Sequence, residues 1–401
     1  MPTPNGCSLP RLALIGVSGY GGIYLKLLRE ALRRKTVRLV AAVIINPQDV
    51  PEIVAELKAG GTAIYADANT FFTQEAGRID LCLIPVGIQW HARLTIAALQ
   101  SGMNVLVEKP LAGSVADTAA IRRAEKESGR WVAVGFQDLY SLESHWLKTQ
   151  LIAGVIGKLE SIRMIGQWPR PRSYFARNHW AGRIQADGAA VLDSPLNNAF
   201  AHFVNLAMYF AGDSVNESAD IRLKSVELYR AHHIETFDTA IVSGATDGGT
   251  AVWFGVSHAS GITREPEIYL QGSAGRAEWW HEQRCVVVDS AGRRQVFPLP
   301  STDDSRQLMF AAVVARLTDP AAFVCTTEIA EKHTRLIETI HQSGPVREFP
   351  ASSIDWVLDP HTKSEIPLVN DLSEELNAAL LRGGSLAKSV SSLSPFLIRS
   401  S

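Results

Sequence analysis

Two ionisable side chains stand where chemistry could begin. Lys109 closes the stretch 104–110, NVLVEKP, in which Val105, Leu106 and Val107 form an apolar run without alternation. Such a run is expected of a strand buried on both faces of a parallel sheet. Ligands of open α/β sheets collect beyond the carboxyl ends of the strands, so an ammonium there faces a crevice, where it could stabilise a developing oxyanion. A solvated strand-end lysine paired to Glu108 is the plainer alternative. The second side chain is His202. Asn198, His202 and Asn205 follow one another at spacings of four and three, which puts all three on one face of a helix expected from Asp193 to Gly212. An imidazole there could take a proton, whereas asparagine cannot ionise. The same polar stripe would also serve as a buried hydrogen-bonding layer.

A third cluster is the loop 168–182, WPRPRSYFARNHWAG. Pro169 and Pro171 suppress regular structure, and the aromatics are dense. Arg170, Arg172, Tyr174, Arg177, Asn178, His179 and Trp180 combine donors with flat apolar faces, a mixture suited to a polyhydroxylated or carboxylated small molecule. A domain-interface or oligomer-contact loop fits the composition equally.

Positioning these groups requires an ordered scaffold, and the first third of the chain supplies a regular βα alternation. An apolar strand at 12–15 runs into Gly16-Val-Ser18-Gly19-Tyr20-Gly21-Gly22 and then a helical pattern through Leu32. Strand, glycine turn and helix N-terminus together form a site where backbone amides can hold a pyrophosphate. Ser18 takes the middle glycine position of GxGxxG, while Gly16, Gly19 and Gly22 satisfy GxxGxxG. Further strands are expected at 39–45, 63–65, 79–84, 105–107 and 131–136, with helices at 91–99 and 114–129. The second strand ends at Asn46, where NAD-binding folds usually carry an acid for the ribose hydroxyls. Asparagine can bond a hydroxyl without repelling a 2′-phosphate, so both NAD and NADP remain open.

This ordered series, with a strand ending at Pro85, the helix containing His91, VLVEKPLA and VGFQ, resembles the glucose-fructose oxidoreductase/inositol dehydrogenase (Gfo/Idh/MocA) family. The stretch 94–118, LTIAALQSGMNVLVEKPLAGSVADT, looks like the family signature almost throughout. The resemblance implies an α/β protein: a Rossmann dinucleotide-binding domain (1–137) followed by an α+β domain (138–401) with an open, mostly antiparallel sheet for substrate binding and oligomerisation. It implies a nicotinamide cofactor, NAD or NADP, contacted by Gly16, Ser18, Gly19, Tyr20, Gly21, Asn46, Pro85, His91, Glu108 and Gln137. Lys109 becomes a catalytic or substrate-positioning lysine. The segment around His202 resembles the motif DxxxHxxD, with Asn198 and Asn205 in place of both aspartates, so acid/base work would rest on His202 and Lys109, with Asp193 at most supporting. Arg172, Tyr174, Asn178, Trp180 and Asn198 are the expected substrate contacts. The activity implied is hydride transfer between nicotinamide and a sugar, polyol or related hydroxy compound. An NAD-dependent glycosidase and a non-catalytic dinucleotide-binding regulator are the alternatives. A homo-oligomer is expected on resemblance alone.

In the second domain, alternating strands are expected at 159–165, 221–229, 239–244, 250–256, 268–271, 276–280 and 285–289, forming an antiparallel sheet with one covered face. Helices are expected at 306–317, 328–340 and 369–381, and the serine-rich end 383–401 would be ordered only by contact with another surface. A net charge of −2 gives no electrostatic case for nucleic acid or a membrane surface. The start, MPTPNGCSLPR, has neither an apolar signal core nor a twin arginine, and a cytoplasmic protein is expected. Cys7, Cys82, Cys285 and Cys325 have no metal-ligand spacing, and no metal is expected. His232 and His233, adjacent on a strand, would point to opposite faces.

Overall fold

The computed structural model describes residues 9–386 and 396–397. Cys7, the first eight residues of the N-terminal stretch and most of the serine-rich end therefore lie outside the described residues. The chain packs as two compact units. The first comprises residues up to 112, 116–135 and 306–327; the second comprises 113–115, 136–305 and 328 onward. Residues 306–327, which a division at 137 puts in the second domain, thus pack with the first.

In the first unit β1 (Arg11–Ile15), α1 (Gly21–Arg33), β2 (Arg38–Val43), α2 (Pro51–Ala59), β3 (Ala63–Tyr65), α3 (Ala68–Gln74), β4 (Leu81–Ile84), α4 (Ile88–Gln100), β5 (Asn104–Val107), α5 (Val115–Ser128) and β6 (Val132–Val134) follow in order. All neighbouring strands are parallel, in the order β3-β2-β1-β4-β5-β6. This is the doubly wound sheet of a Rossmann fold, with β1 at the point where strand order reverses. Every residue of β4 and β5 is buried, which is why neither shows apolar alternation. β2 stops short of the expected Ile45: that side chain is 75% exposed, and Asn46 leads into a 3-10 turn at Pro47–Asp49.

The second unit contains α6 (Leu142–Ile152), β7 (Leu159–Gln167), α7 (Arg172–Ala176), the short pair β8 (Gln185–Ala186) and β9 (Ala189–Ala190), and α8 (Ala201–Phe210). Seven strands follow: β10 (Ile221–Arg230), β11 (Thr239–Thr246), β12 (Ala251–Ser257), β13 (Arg264–Gly272), β14 (Arg276–Trp280), β15 (Arg284–Val288) and β16 (Arg294–Pro298). The chain continues through α9 (Thr302–Ala315), α10 (Thr327–Gln342), β17 (Val346–Glu348), β18 (Ile354–Leu358), β19 (Glu365–Val369), α11 (Leu372–Arg382) and β20 (Phe396–Leu397). The large sheet runs β16-β15-β14-β13-β7-β12-β11-β10-β17, with β20 added on β10. Its β7–β12 and β10–β17 pairs are parallel and the rest antiparallel, so the sheet is mixed.

Both faces of this sheet are covered in part, which corrects the expectation of one. On one face Phe200, just ahead of α8, lies over Gly166, where an added Cβ would come within 2.5 Å of its ring. On the other, Leu372, Leu376, Ala379 and Leu380 of α11 are buried with Ile165, Tyr229, Ile241 and Trp253. The Arg163 guanidinium donates to the carbonyls of Leu380 and Leu381 (2.7 and 2.8 Å), and Trp253 Nε1 donates to Gly384 O (2.9 Å). These bonds satisfy carbonyls that a helix C-terminus leaves open.

Cys82, Cys285 and Cys325 are free and buried, and burial pushes the Cys285 thiol up to about 12. Among the described residues there is no group of three or more His, Cys, Asp or Glu able to hold a metal, and no helix is long and apolar enough to cross a membrane.

Three buried imidazoles set an acid limit on stability. Burial holds His91 and His341 down at about 4 and His258 at about 3, against an ordinary 6.5. Between those values the unfolded chain takes up protons that the folded chain refuses, so stability falls as pH drops below 6.5 and levels off once the folded-state values are passed. At full effect the loss is about 3 kcal/mol each for His91 and His341 and about 5 kcal/mol for His258. The expected outcome is a calorimetric Tm that declines steeply from pH 6.5 to 4.

Candidate active site

The first unit carries a cleft of about 630 Å³ above the carboxyl ends of β1, β2 and β4, lined among others by Gly16, Ser18, Asn46, Asp49, Pro85 and Arg93. Gly16 has φ +87° and Gly19 φ +56°, a left-handed backbone that glycine adopts without strain. Gly21 is required by contact: a Cβ there would sit 2.5 Å from Gly16 O. The amides of Gly21, Gly22 and Ile23 are used on the carbonyls of Ser18, Gly19 and Tyr20. Those of Ser18 and Gly19 make no hydrogen bond among the described residues, and they stand at the start of α1, where the helix dipole favours an anion. This cradle fits the pyrophosphate of a dinucleotide. Gly21→Ala should therefore weaken NAD(P) binding by roughly 10-fold or more, as read by fluorescence titration. Tyr20 is engaged elsewhere, its hydroxyl accepting from Arg306 Nε at 3.3 Å.

The turn after β5 is braced on both sides. Glu108 is 4% exposed, and its carboxylate accepts from the Tyr24 hydroxyl (2.7 Å) and the Lys109 amide (3.1 Å). Burial raises its pKa. Gly135 has no side chain because a Cβ would meet Glu108 Oε1 at 2.7 Å. Glu108 therefore supports the turn through its own carboxylate. His91, expected against the cofactor, is fully buried: Nδ1 faces Pro110 O at 2.7 Å and Nε2 faces Val86 O at 3.1 Å. With its pKa held down the ring is neutral and donates one bond, best placed at the shorter contact. It ties the Lys109–Pro110 turn, which contains a cis peptide bond, to the turn after β4. Lys109 itself is half-buried.

In the second unit His202 occupies the first turn of α8, 8% exposed. Its Nδ1 lies 3.5 Å from Asp138 Oδ2. Sequence reasoning did not single out Asp138; the available signal was a lone carboxylate directly after Gln137 in an otherwise apolar run. The two atoms do not form a hydrogen bond with each other in this geometry, so the carboxylate acts through its charge, which favours a proton on the facing Nδ1. The edge of Phe136 packs on the imidazole, with centroids 5.8 Å apart. Gln137 is 4% exposed, and its Oε1 is buried without a hydrogen-bond partner among the described residues.

Asn198 does not share the helix face with His202, because α8 begins at Ala201. The preceding residues are held by side-chain bonds that compete with a helix. Asn197 Nδ2 donates to the carbonyls of Val191 (2.9 Å) and Leu192 (3.2 Å), and Asn198 Nδ2 to Asp193 Oδ1 (2.8 Å). Asp193 also accepts from Gly182 N at 2.6 Å, so its carboxylate anchors the loop end. Asn205 is fully buried, and neither of its amide atoms has a hydrogen-bond partner among the described residues.

The aromatic loop is divided in its loyalties. Arg172, an expected substrate contact, instead pairs with Glu365 at 2.9 Å and stacks 4.0 Å from the Trp356 ring. Asn178 Oδ1 accepts from the amides of Trp180 (3.1 Å) and Ala181 (2.8 Å), an Asx turn that shapes the loop. Tyr174 and Trp180 are half-buried with the Arg177 guanidinium against both rings.

A sequence profile described as an oxidoreductase family with an NAD-binding Rossmann fold, Gfo/Idh/MocA, matches residues 11–136. The chain is 25% identical to 4-carboxy-2-hydroxymuconate-6-semialdehyde dehydrogenase of Sphingobium sp. over 52% of its own length and 61% of that enzyme, so it spans less than two thirds of this relative. It is 24% identical to myo-inositol 2-dehydrogenase of Thermotoga maritima over 71% of the chain and 80% of the relative. In fold it is similar to the WlbA dehydrogenase of Bordetella pertussis, solved with NADH and UDP-GlcNAcA, with TM-score 0.65 and 20% identity over 84% of this chain and 96% of that one. Residues 11–136 thus match the NAD-binding Rossmann domain of the Gfo/Idh/MocA oxidoreductase family, and the relatives compared over longer stretches are dehydrogenases.

Proposed function

We propose that the protein is an NAD(P)-dependent dehydrogenase or reductase acting on the CH–OH group of a sugar, polyol or related hydroxy compound, with residues 1–137 serving the cofactor and 138–401 the substrate and self-association. The observation that carries the reading is the approach of Asp138 Oδ2 to His202 Nδ1, which equips the imidazole as a base in a protein whose other unit holds a dinucleotide cradle. The nicotinamide, when bound, accepts or supplies the hydride. His202 is assigned the role of base for the hydroxyl proton in the oxidative direction, and Lys109 that of a hydrogen-bond donor to developing negative charge on oxygen. Gly16, Ser18, Gly19 and Gly21 hold the pyrophosphate, while Asn46 and Pro85 border it. Gln137, with its unpaired Oε1, is a further cofactor contact. Tyr174 and Trp180 offer faces for substrate C–H groups. Carbohydrate-like substrates occur among the relatives, inositol by name in the Thermotoga maritima enzyme and a UDP-linked sugar in the WlbA structure.

The test is a panel of sugars, polyols and hydroxy acids scored by absorbance of the reduced cofactor. Steady reduction supports the dehydrogenase reading; glycoside release without net reduction would replace it by transient-oxidation hydrolysis, and dinucleotide binding with no turnover of any kind by a regulator. We also place the protein in the cytoplasm and as a homo-oligomer. Because α11 occupies one face of the large sheet, self-association would use another surface, which sedimentation followed by interface mapping tests.

A further inference from the structure

We propose that Arg170 is the anchor for a carboxylate on the substrate, so that the substrate class is acidic sugars and hydroxy acids rather than neutral polyols. This rests on the dehydrogenase reading above and names the substrate class of that same site.

The backbone of Arg170 is fixed from two directions. Its amide donates to His258 O at 3.0 Å, and its carbonyl lies 2.9 Å from His232 Nε2. His232 is in turn held by the buried Asp238 carboxylate, 2.8 Å from Nδ1. From this fixed point the guanidinium lies against two rings, 5.5 Å from the centroid of Trp168 and 4.9 Å from that of Tyr174. Stacking of this kind occupies the faces of the guanidinium and leaves its N–H edge to donate.

That edge has no taker among the described residues. Arg170 Nε is buried without a hydrogen-bond partner, and the guanidinium makes no hydrogen bond or ion pair among the described residues. Its neighbours contrast with it: Arg172, Arg183, Arg230 and Arg264 are each paired with a carboxylate. The carboxylate that acts on the Arg170 charge is that of Glu265, which is already engaged by His281 Nδ1 at 3.2 Å. Burial disfavours the charged form of Arg170, yet an arginine stays protonated in proteins, so the missing counter-ion is left for a ligand to supply.

The location ties the anchor to the reaction centre. The Trp168 ring stacks on Phe200, centroids 4.7 Å apart and planes 24° from parallel, and meets Phe203 edge-on at 5.9 Å. Phe200 and Phe203 bracket His202 in sequence, so the indole joins the guanidinium to the segment that presents the imidazole. One guanidinium matches the single charge and planar fork of a carboxylate; a phosphate dianion would bring a second negative charge.

The experiment compares D-galacturonate with D-galactose, D-glucuronate with D-glucose, and D-glucose 6-phosphate, using the full chain with NAD(P) and its Arg170→Met and Arg170→Lys variants. Cofactor reduction gives kcat/KM, and calorimetric titration of each compound into the dinucleotide-loaded protein gives affinity. Intact dinucleotide binding and circular dichroism establish that the variants fold. The expected result is a preference of about 100-fold for the uronates, carried mainly by KM, that collapses in Arg170→Met and survives in part in Arg170→Lys. Equal or better use of the neutral sugars, preference for the sugar phosphate, or equal losses on both members of a pair in Arg170→Met would each overturn the anchor while leaving the dehydrogenase reading intact. Calorimetric binding of a uronate that vanishes in Arg170→Met, without reduction by any compound, would keep the anchor and remove the dehydrogenase reading. Neither binding nor reduction with any uronate would remove the anchor.

Discussion

Lys109→Ala is expected to lower kcat by about 10²- to 10⁴-fold while changing the dinucleotide Kd by no more than about threefold. The separation follows from how the turn is held. The Lys109 amide bonds to Glu108, the Glu108 carboxylate to Tyr24, and the Pro110 carbonyl faces His91. None of these three contacts uses the lysine side chain, so Lys109→Ala spares them while deleting the ammonium, whose charge also acts on Glu108. Lys109→Arg should recover little, because a planar fork does not reproduce a compact point charge at one oxygen. Single-turnover kinetics beside a fluorescence titration of cofactor read the two quantities separately. Near wild-type turnover in Lys109→Ala with the true substrate would remove the lysine from the reaction.

The second large effect is expected at Asp138. Asp138→Asn keeps the shape beside His202 Nδ1 but removes the charge that stabilises a protonated ring and the preference for a proton on Nδ1. A fall in kcat of about 10²- to 10⁴-fold should result. The sign of the pH effect is also fixed. Without the carboxylate the imidazole gives up its proton more readily, so the acid limb of kcat/KM shifts to lower pH. Combining Asp138→Asn with His202→Gln should cost little more than His202→Gln alone, since the two side chains act as one unit. Additive losses, or an unmoved acid limb, would show that Asp138 supports folding only.

The buried parallel strands were the most legible part of the chain, because β4 and residues 105–107 of β5 are uninterrupted apolar runs, and the first turn calls for glycine by positive φ at Gly16 and Gly19 and by close contact at Gly21. The Asp138–His202 contact was not legible: its members lie far apart in sequence and meet through tertiary packing. Asn198 was misplaced because spacing alone is satisfied by any residue three or four positions away. Pro195 and the side-chain bonds of Asn197 and Asn198 instead delay the helix to Ala201. Arg172 looked like a ligand donor from its neighbours in the loop, but its partners, Glu365 and Trp356, belong to β19 and β18. His91 illustrates the same limit in reverse: its position in the family series suggested cofactor contact, while its burial makes it a brace for backbone carbonyls.

The hairpin of β18 and β19 reaches back to the aromatic loop at three points. Arg172 pairs with Glu365, its guanidinium covers Trp356, and the Ser173 amide donates to Ser364 Oγ at 3.0 Å. Where that loop selects the substrate, the hairpin works as a splint whose own surface need never meet the molecule being chosen. Selectivity could then drift through changes at Glu365 or Trp356 alone, and a search for specificity determinants confined to ligand-facing residues would pass over the part of the chain that sets the loop's posture.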